Sequence, residues 1–367
     1  MPELSIIEQP LLDRYAPAWD ALVDQAPLPT PFLRSWWLEH TSSGRPVFVL
    51  VLDGEVLIGG IALQEEQRPG GARLRFMGNG PLCPDHLDLL AAPGREAEVV
   101  GALRMALAER DPAIVDLDGL CADALVTGCF DARAVMSTAA SPYLVLDGTA
   151  PLAGRSSRVR NTVQRTTKRL AKLGVVPQVV PPDGADRAFE ALRSLHNERW
   201  GDESQFLPAI DRFEAAARIG LRRGELVIHE MAVTEGTVER VVAVCVVLYV
   251  AGRASYYQAG RLTDPEWRGA GTAVLAASVE AAAAAGCHEY DLLRGSEPYK
   301  QDWSSGHRDV YRLVAEVGGR RAGASLLAAS IDARQRSRPY VHRARAFVHR
   351  NRSRFLTPAG ERGGERS

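Results

Sequence analysis

Strand-like and helix-like segments follow one another in the same order in both halves of this 367-residue chain, and this repeat restricts the fold more than any other feature. The first half runs strand, two helices, hairpin, helix and strands: Leu4–Ile7, Asp13–Val23, Phe32–Thr41, Val47–Leu52 with Val56–Leu63, Glu96–Glu109, Ile114–Leu117 and Tyr143–Leu146. The Asp53-Gly54 pair that joins the two β-rich runs is a strong hairpin signal. This order predicts an α/β layer arrangement around a mixed sheet.

The second half repeats the order with different residues. Its segments are Val175–Val180, Asp186–Trp200, Ile210–Leu221, Leu226–Val233, Val241–Tyr249, Ala254–Ala259, Thr272–Ala285, Tyr290–Leu293 and Val310–Val317. The halves show no sequence identity, so the repeat is one of element order alone. We therefore expect two tandem α/β domains at residues 1–152 and 175–320, joined by a connector helix at 153–174 and followed by a tail at 321–367.

The connector combines a narrow apolar stripe with a basic surface. Four apolar residues fall on one side of the predicted helix Arg155–Leu173: Val159, Val163, Leu170 and Leu173. The helix also carries seven cations and no acid: Arg155, Arg158, Arg160, Arg165, Lys168, Arg169 and Lys172. Gly174 supplies a C-terminal stop. Two interpretations stay open, a solvated helix packing along both halves, or a helix that faces an anion such as a phosphorylated substrate or RNA.

The C-terminal tail is basic as well, with ten arginines and a single acid between Arg320 and Arg354. We expect helices at 323–336 and 340–350, separated by Pro339, and disorder over the last residues, 357–367. The tail lacks the large aromatic face of an interfacial helix, so a solvated tail is favoured over one bound to lipid or nucleic acid.

Composition and charge exclude several classes of protein. The chain is 46% hydrophobic and 24% charged with a net charge of −1, which is typical of a globular protein and gives no general attraction to nucleic acid or membrane. The longest apolar run, Val241–Ala251, is too short to span a bilayer, and the acidic N-terminus does not resemble a signal peptide. Five cysteines without C-x-x-C spacing predict reduced thiols, no metal site and a cytoplasmic protein: Cys83, Cys121, Cys129, Cys245 and Cys287.

The loop Arg268-Gly269-Ala270-Gly271-Thr272 is the sharpest local motif, since it follows a strand and opens a helix. The first N–H groups of a helix have no intrahelical partner, and the helix dipole makes that end partly positive. Glycines let a ligand approach the backbone closely, and Arg268 adds a charged donor. The loop is therefore predicted to bind a pyrophosphate.

Three other interpretations compete for this loop. A Rossmann fingerprint would explain two of the glycines and Asp291 about 20 residues later, but Val274 occupies the position of the third glycine and an antiparallel meander precedes the loop. A P-loop fails because no Gly-Lys-Ser/Thr follows. The third interpretation is a glycine turn that merely opens a buried helix.

Four segments resemble GNAT-type acetyltransferases grouped with cellulose-biosynthesis proteins of the CelD/BcsL kind. They are Lys168-Arg169-Leu170-Ala171-Lys172-Leu173-Gly174, Leu195-His196-Asn197-Glu198-Arg199-Trp200-Gly201, Tyr256-Tyr257-Gln258-Ala259-Gly260 and Tyr290-Asp291-Leu292-Leu293-Arg294-Gly295-Ser296-Glu297-Pro298-Tyr299-Lys300. The last string is the most specific. The resemblance covers about 40% of the chain, from Arg155 to Trp303, and the first half fits only loosely.

The resemblance implies a tandem GNAT fold related to Fem-type transferases, in which each half holds a mostly antiparallel sheet flanked by helices. It also implies that acetyl-CoA, or a longer acyl-CoA, binds the second half, while the first half is a degenerate partner. Many family members have Ser-Pro-Gly-Thr at the loop, and this chain departs toward the general Arg-Gly-x-Gly form. Since the first half has no such loop, we expect one donor site.

The resemblance also suggests roles for individual residues. Tyr257, Gln258 and Ala259 would offer backbone groups to the pantetheine arm and to the oxyanion. Asp291 is the first candidate for general base, with a structural carboxylate paired to Arg294 or Lys300 as the alternative, and Glu297 is the second candidate. Tyr299 is the candidate general acid, with simple packing as the alternative. His196, Trp200 and Lys300 would contact the acceptor. For His196 and Trp200, packing in the core is an equally good explanation.

The expected function is transfer of an acyl group, in the first place acetyl, from CoA to an amine of a small molecule, an amino sugar or a polysaccharide precursor. A second hypothesis is a Fem-like transferase that uses aminoacyl-tRNA, with the basic connector binding the nucleic acid. A third is a non-catalytic GNAT-like subunit of polysaccharide biosynthesis.

Overall fold

The computed structural model describes residues 4–318 apart from 69, 70, 132, 149, 236, 237 and 296, together with residues 323, 325–331 and 333. The strands are β1 (Leu4–Gln9), β2 (Arg45–Asp53), β3 (Val56–Arg68), β4 (Gly71–Phe76), β5 (Leu90–Ala91), β6 (Ala113–Leu120), β7 (Arg133–Val145), β8 (Pro177–Val179), β9 (Leu226–Glu235), β10 (Val238–Val250), β11 (Arg253–Arg261), β12 (Glu289–Asp291) and β13 (Gly306–Val317). The α-helices are α1 (Ala16–Gln25), α2 (Ser35–Thr41), α3 (Glu96–Ala108), α4 (Ser157–Lys172), α5 (Ala185–Trp200), α6 (Ile210–Arg223), α7 (Ala270–Ala284) and α8 (Pro298–Trp303). The predicted tail helix at 340–350 and the last residues lie outside the described part.

One sheet runs through the whole molecule in the order β1-β2-β3-β4-β6-β13-β7-β12-β11-β10-β9-β8, with β5 paired to β3. Two neighbouring pairs are parallel, β4 with β6 and β11 with β12, and the other pairs along this path are antiparallel. The pattern of directions is the same from either edge, so the halves are related by a pseudo-twofold axis between β13 and β7. The expected fold class, a mixed and mostly antiparallel sheet flanked by helices, is confirmed.

The two halves exchange their last strands. β7 belongs to the first half in sequence, yet it pairs with β12 through Tyr143 opposite Asp291. β13 comes from the second half and pairs with β6 through Leu313 opposite Leu117. The connector α4 begins and ends within the predicted interval 153–174, but the sheet hydrogen bonds cross this boundary. Each half therefore depends on the other for one strand.

Aromatic packing also joins the halves. The rings of Phe32 and Trp37, next to and within α2, lie 5.4 and 5.3 Å from the ring of Tyr257 on β11. Phe213 of α6 packs on the other side of Tyr257 at 5.5 Å. Aromatic pairs at these distances add to the free energy gained by burial. The region around Tyr257 is thus one continuous core shared by both halves.

Small side chains let α7 pack closely on the second half of the sheet. Half of its buried positions are alanines, and the others are Val274, Leu275, Ser278 and Val279. Ser278 of the same helix forms a 2.6 Å hydrogen bond with the phenol of Tyr290 on β12. This close packing fixes where the N-terminus of α7 lies relative to β11. In the described parts of the chain, none of the helices has the length and apolar character needed to cross a bilayer.

Candidate functional site

The sheet opens beside the second half of β11. β11 and β12 pair in parallel only from Arg253 to Ser255, and β12 then ends at Asp291. On its other side β11 stays paired with β10 as far as Arg261, with a bulge that leaves Tyr257 outside the register. Within the described residues, the backbone of 256–260 has no strand on the side facing away from β10. An open strand edge of this kind can pair with an extended ligand.

The loop predicted to bind pyrophosphate lies at the end of this opening. Gly269 adopts a left-handed conformation, φ 86°, and α7 begins at Ala270. The N–H groups of Thr272 and Ala273 donate to the carbonyl of Gly269 at 2.9 and 3.0 Å. Among the described residues, the N–H groups of Gly269, Ala270 and Gly271 have no hydrogen-bond acceptor. Three free donors at the positive end of a helix form an anion-binding site.

The basic connector holds this loop in place. The Arg169 guanidinium donates to the carbonyl of Glu266 at 2.7 Å and also to that of Arg268. A Cβ on Gly269 would lie 2.6 Å from the Thr166 methyl group of α4. Glycine is therefore needed at 269 both for its positive φ and for the close approach of α4. These contacts fix the direction in which the free N–H groups point.

Helix α3, which corresponds to α7 in the first half, has acidic side chains in its own first turn. The Glu96 carboxylate accepts a hydrogen bond from the Gly94 N–H at 3.0 Å, and Glu98 lies in the same first turn of α3. Backbone N–H groups of Glu96 itself and of Gly94 hold the pKa of the Glu96 carboxyl below its usual range. The Glu96 carboxylate thus competes with a pyrophosphate for this helix end, while the Glu98 carboxylate is paired with Arg95. The start of α3 therefore differs from the start of α7, where the N–H groups are free of acceptors within the described residues.

The structure surrounds Asp291 with donors and buries it completely. One carboxylate oxygen accepts from His86 Nε2 at 2.7 Å and from Arg253 at 2.9 Å. The other accepts from the Ser141 hydroxyl at 3.1 Å and from the Leu293 N–H at 2.8 Å. Burial alone would raise the pKa of Asp291, but the charges and hydrogen bonds of these partners hold it well below its usual range.

This environment favours the structural alternative for Asp291 over the role of general base. A saturated carboxylate with a depressed pKa has little tendency to take up a proton. Its partners differ from those expected from the sequence. Arg294 binds Asp118 at 3.0 Å and also Asp85 of the first half, whereas Lys300 lies 3.3 Å from Glu297.

Glu297 and Tyr299 remain accessible at the opening. The Glu297 side chain is 52% exposed, against 1% for Asp291. Burial, and then the Glu297 carboxylate, raise the pKa of the Tyr299 phenol, which therefore keeps its proton at neutral pH. Tyr256 on β11 interacts electrostatically with Tyr299, Arg199 and Glu297. These side chains thus gather at the end of the opened strand, where a proton acceptor and a proton donor are available together.

Lys300 is buried against the main chain. Its ammonium donates to the carbonyls of Arg294 at 2.9 Å and Leu293 at 3.3 Å. A Cβ on Gly295 would lie 2.5 Å from the Lys300 nitrogen and 2.1 Å from a Glu297 oxygen, so both side chains fold over this glycine. Lys300 therefore shapes the turn after β12 and positions Glu297.

The other two residues expected to contact the acceptor, His196 and Trp200, lie at the end of α5. His196 is buried against Phe206 and bonds the Ser204 hydroxyl at 3.2 Å, and burial lowers its pKa. Trp200 is 45% exposed, and the Arg199 guanidinium stacks 4.8 Å from its ring. Tyr257 directs its side chain into the shared core, where its hydroxyl donates to the Leu82 carbonyl at 2.8 Å. Only the backbone of Tyr257 faces the opening, whereas Gln258 and Ala259 are half-buried.

The first half contributes residues that sequence reasoning missed. Pro84, Asp85 and His86 reach into the second half, where Pro84 accepts from Arg294 at 2.6 Å and Asp85 accepts from the Arg294 N–H at 2.6 Å. His86 has a positive φ of 60° and is almost fully buried. In the sequence, the signal is a histidine next to an aspartate. It does not reveal that His86 binds Asp291, which lies 205 residues away.

Comparison with protein families gives one match. Residues 157–301 match the model described as acetyltransferase (GNAT) domain. This interval contains α4, the opened strand, the loop and the string that ends at Lys300. No curated protein sequence matches the chain. The match supports an N-acyltransferase of the GNAT type.

Solved structures resemble the chain over both halves. A structure titled "Crystal structure of FemX" is 12% identical with a TM-score of 0.64 and covers 85% of this chain and 98% of its own. The C-terminal domain of a putative lysylphosphatidylglycerol synthetase from Agrobacterium fabrum is 12% identical with a TM-score of 0.54, covering 88% and 96%. L-PGS from Bacillus licheniformis is 13% identical with a TM-score of 0.52, covering 85% and 94%. At such low identity, the likeness concerns the fold alone.

Proposed function

We propose that this chain, whose residues 157–301 match a GNAT acetyltransferase domain, is an acyl-CoA-dependent N-acyltransferase with one donor site in its second half. The observation that carries the proposal is that the open edge of β11 leads to the free N–H groups of Gly269, Ala270 and Gly271. The pantetheine arm of acetyl-CoA pairs with β11 in the manner of an added strand. Its pyrophosphate then lies on the N-terminus of α7.

The chemistry needs a base, an oxyanion donor and an acid. An acceptor amine attacks the thioester carbon, and Glu297 takes up the amine proton as the C–N bond forms. A backbone N–H of the bulged segment from Tyr257 to Ala259 stabilises the oxyanion. When the C–S bond breaks, Tyr299 gives its proton to the thiolate of CoA. Asp291 holds the end of β12 in place through its four hydrogen bonds.

For the acceptor we propose an amine carried by an amino sugar or another polysaccharide precursor. The resemblance to the CelD/BcsL kind of protein suggests this class. The exposed Trp200 ring beside the opening supports it, because the apolar face of a sugar packs well on an aromatic ring whose edges stay solvated. Arg199 and the neutral His196 would then line the same side of the acceptor.

Calorimetric titration with acetyl-CoA tests the donor site. Gly271→Glu places a carboxylate where the pyrophosphate binds, much as Glu96 does in the first half. We expect the wild type to bind one acetyl-CoA per chain and Gly271→Glu to lose at least about tenfold in affinity. Gly101→Glu is the matched control, because Gly101 lies on the exposed side of α3 with open space at its Cβ. Unchanged binding in Gly271→Glu would contradict the site.

A second candidate function is transfer of an aminoacyl group from tRNA. The likeness in fold to FemX and the basic surface of α4 favour it. Under this alternative a tRNA binds with a strong dependence on salt, and acetyl-CoA does not compete. Acetyl-CoA binding without turnover on a panel of amines would instead favour a non-catalytic subunit.

A further inference from the structure

Helix α4 presents a line of cations without anionic partners. Arg158, Arg165, Lys168, Arg169 and Lys172 are all exposed and are called the basic stripe below. Among the described residues, no carboxylate lies within ion-pair distance of any of them. Other helices carry paired arginines, since the half-buried Arg193 of α5 pairs with Asp211 at 2.7 Å. Two of the three lysines in the whole chain belong to the stripe.

The spacing of the basic stripe places its members on one side of the helix. From Arg158 the steps are seven, three and four residues to Arg165, Lys168 and Lys172, and each step returns to nearly the same direction at 3.6 residues per turn. The stripe is about 21 Å long at 1.5 Å per residue. The opposite side of α4 buries Val159, Val163 and Leu170. Arg158, Arg165, Lys168 and Lys172 therefore face solvent together, while Arg169 turns toward the loop.

The basic stripe lies beside the candidate pyrophosphate loop. Thr166 contacts Gly269, and Arg169 donates to the loop carbonyls, so the third turn of α4 crosses the start of α7. Arg165, Lys168 and Lys172 occupy the turns on either side of this crossing. Three cations of the basic stripe therefore lie within two helical turns of the contact between α4 and the loop.

We infer that the basic stripe binds the phosphorylated nucleotide end of the acyl donor, namely the 3′-phosphate on the adenosine of CoA. This inference rests on the proposed function. A single exposed ion pair contributes little binding free energy, so a phosphate bound at the surface needs several cations together. A phosphate with two negative charges is attracted more strongly by such a cluster than an anion with one. A connector helix that only faces solvent could carry acids as well as bases. The absence of acids from α4 therefore favours a role in binding an anion.

The test compares acetyl-CoA with acetyl-dephospho-CoA, which lacks only the 3′-phosphate. Both ligands are titrated calorimetrically into the wild type, into Arg165→Glu/Lys168→Glu and into Arg133→Glu/Arg222→Glu. The control pair are exposed arginines outside α4 with no ion pair among the described residues, and the two double variants have the same net charge. Thermal melting checks that each variant is folded.

We expect the wild type to bind acetyl-CoA about tenfold more tightly than acetyl-dephospho-CoA at low salt. In Arg165→Glu/Lys168→Glu that preference should vanish, whereas the control variant should keep it. Equal wild-type affinity for the two ligands, or an equal loss for both in the stripe variant, overturns the inference and leaves the proposed donor site standing. If neither ligand binds the wild type, the proposed function fails and the inference fails with it. Stripe-dependent binding of an RNA that acetyl-CoA cannot displace also overturns the inference.

Discussion

Asp291 and Glu297 are two nearby carboxylates with opposite environments. Asp291 is buried beneath four hydrogen-bond donors, whereas Glu297 is half-exposed beside the opened strand. The sequence identified both as candidate bases, because both belong to the string from Tyr290 to Lys300. It could not separate them, since their difference arises from His86 and Ser141 of the first half.

Exchanging each carboxylate for its amide separates positioning from proton transfer. Asp291→Asn should lower the free energy of unfolding by about 3 kcal/mol or more, because His86 and Arg253 lose their buried anionic partner. Glu297→Gln should leave the free energy of unfolding within about 0.5 kcal/mol and lower kcat by about a hundredfold or more, with little change in acetyl-CoA affinity. Urea denaturation and steady-state kinetics measure both. A fully active Glu297→Gln enzyme would contradict the assignment of the base.

His229 makes stability depend on pH. Burial lowers the pKa of this imidazole from 6.5 to about 4, and its Nε2 atom has no hydrogen-bond partner among the described residues. In the unfolded chain this imidazole takes up a proton as the pH falls through 6.5, whereas in the folded chain it does so only near pH 4. The free energy of unfolding therefore falls as the pH drops from 6.5 to about 4. The loss should be about 3 kcal/mol, and His229→Leu should remove it.

Urea denaturation across this pH range measures the effect of His229. His307→Leu is the control, because that imidazole is exposed. The same fall in stability for the wild type and for His229→Leu would assign the pH dependence to other groups. Asp291 acts in a lower range, because its depressed pKa means that its contribution is lost only as the pH falls below the value for an unfolded aspartate.

Helix α7 and the strand before it were predicted to within two residues at each end. Glycines at a helix start and a run of alanines are local signals, and they identified the loop and the helix together. Helix α8 was not predicted, because six residues beginning with Pro298 show no periodicity. The bulge at Tyr257 was also not predicted, since it depends on how β10 pairs with β11.

The contact between α4 and the loop can be tested as a coupled pair. Gly269→Ala should cost about 1–2 kcal/mol for its left-handed backbone and more for the clash with the Thr166 methyl group. Thr166→Ser removes that methyl group, so the double variant should recover about 1 kcal/mol relative to Gly269→Ala. Urea denaturation of the two single variants and the double variant gives the coupling. Strict additivity would mean that α4 does not press on the loop.

At the scale of the whole molecule, the exchanged strands make the two halves interdependent. The repeated order of elements correctly predicted two α/β halves, but pairing between β7 and β13 joins residues far apart in sequence. No local pattern specifies such a pairing. The sequence therefore predicted the fold class without the continuous sheet, and the donor loop without the first-half residues that support it.

Separate expression of the halves tests this interdependence. Fragment 1–152 lacks β13, and fragment 153–367 lacks β7, so each exposes the edges of unpaired strands. We expect each fragment alone to be largely unfolded or aggregated and the two together to form a folded 1:1 complex. Circular dichroism and size-exclusion chromatography measure both states. A stable, folded monomer of fragment 153–367 would show that its sheet does not need β7.

A crystal structure of the complex with acetyl-CoA tests the central claim most directly, because it locates the donor and counts its sites. The account predicts one molecule per chain, with the pyrophosphate on the N–H groups of Gly269, Ala270 and Gly271 and the pantetheine arm along residues 256–260. Donor density at Gly94 and Glu96 in the first half, or no density at the loop at saturating acetyl-CoA, would contradict it.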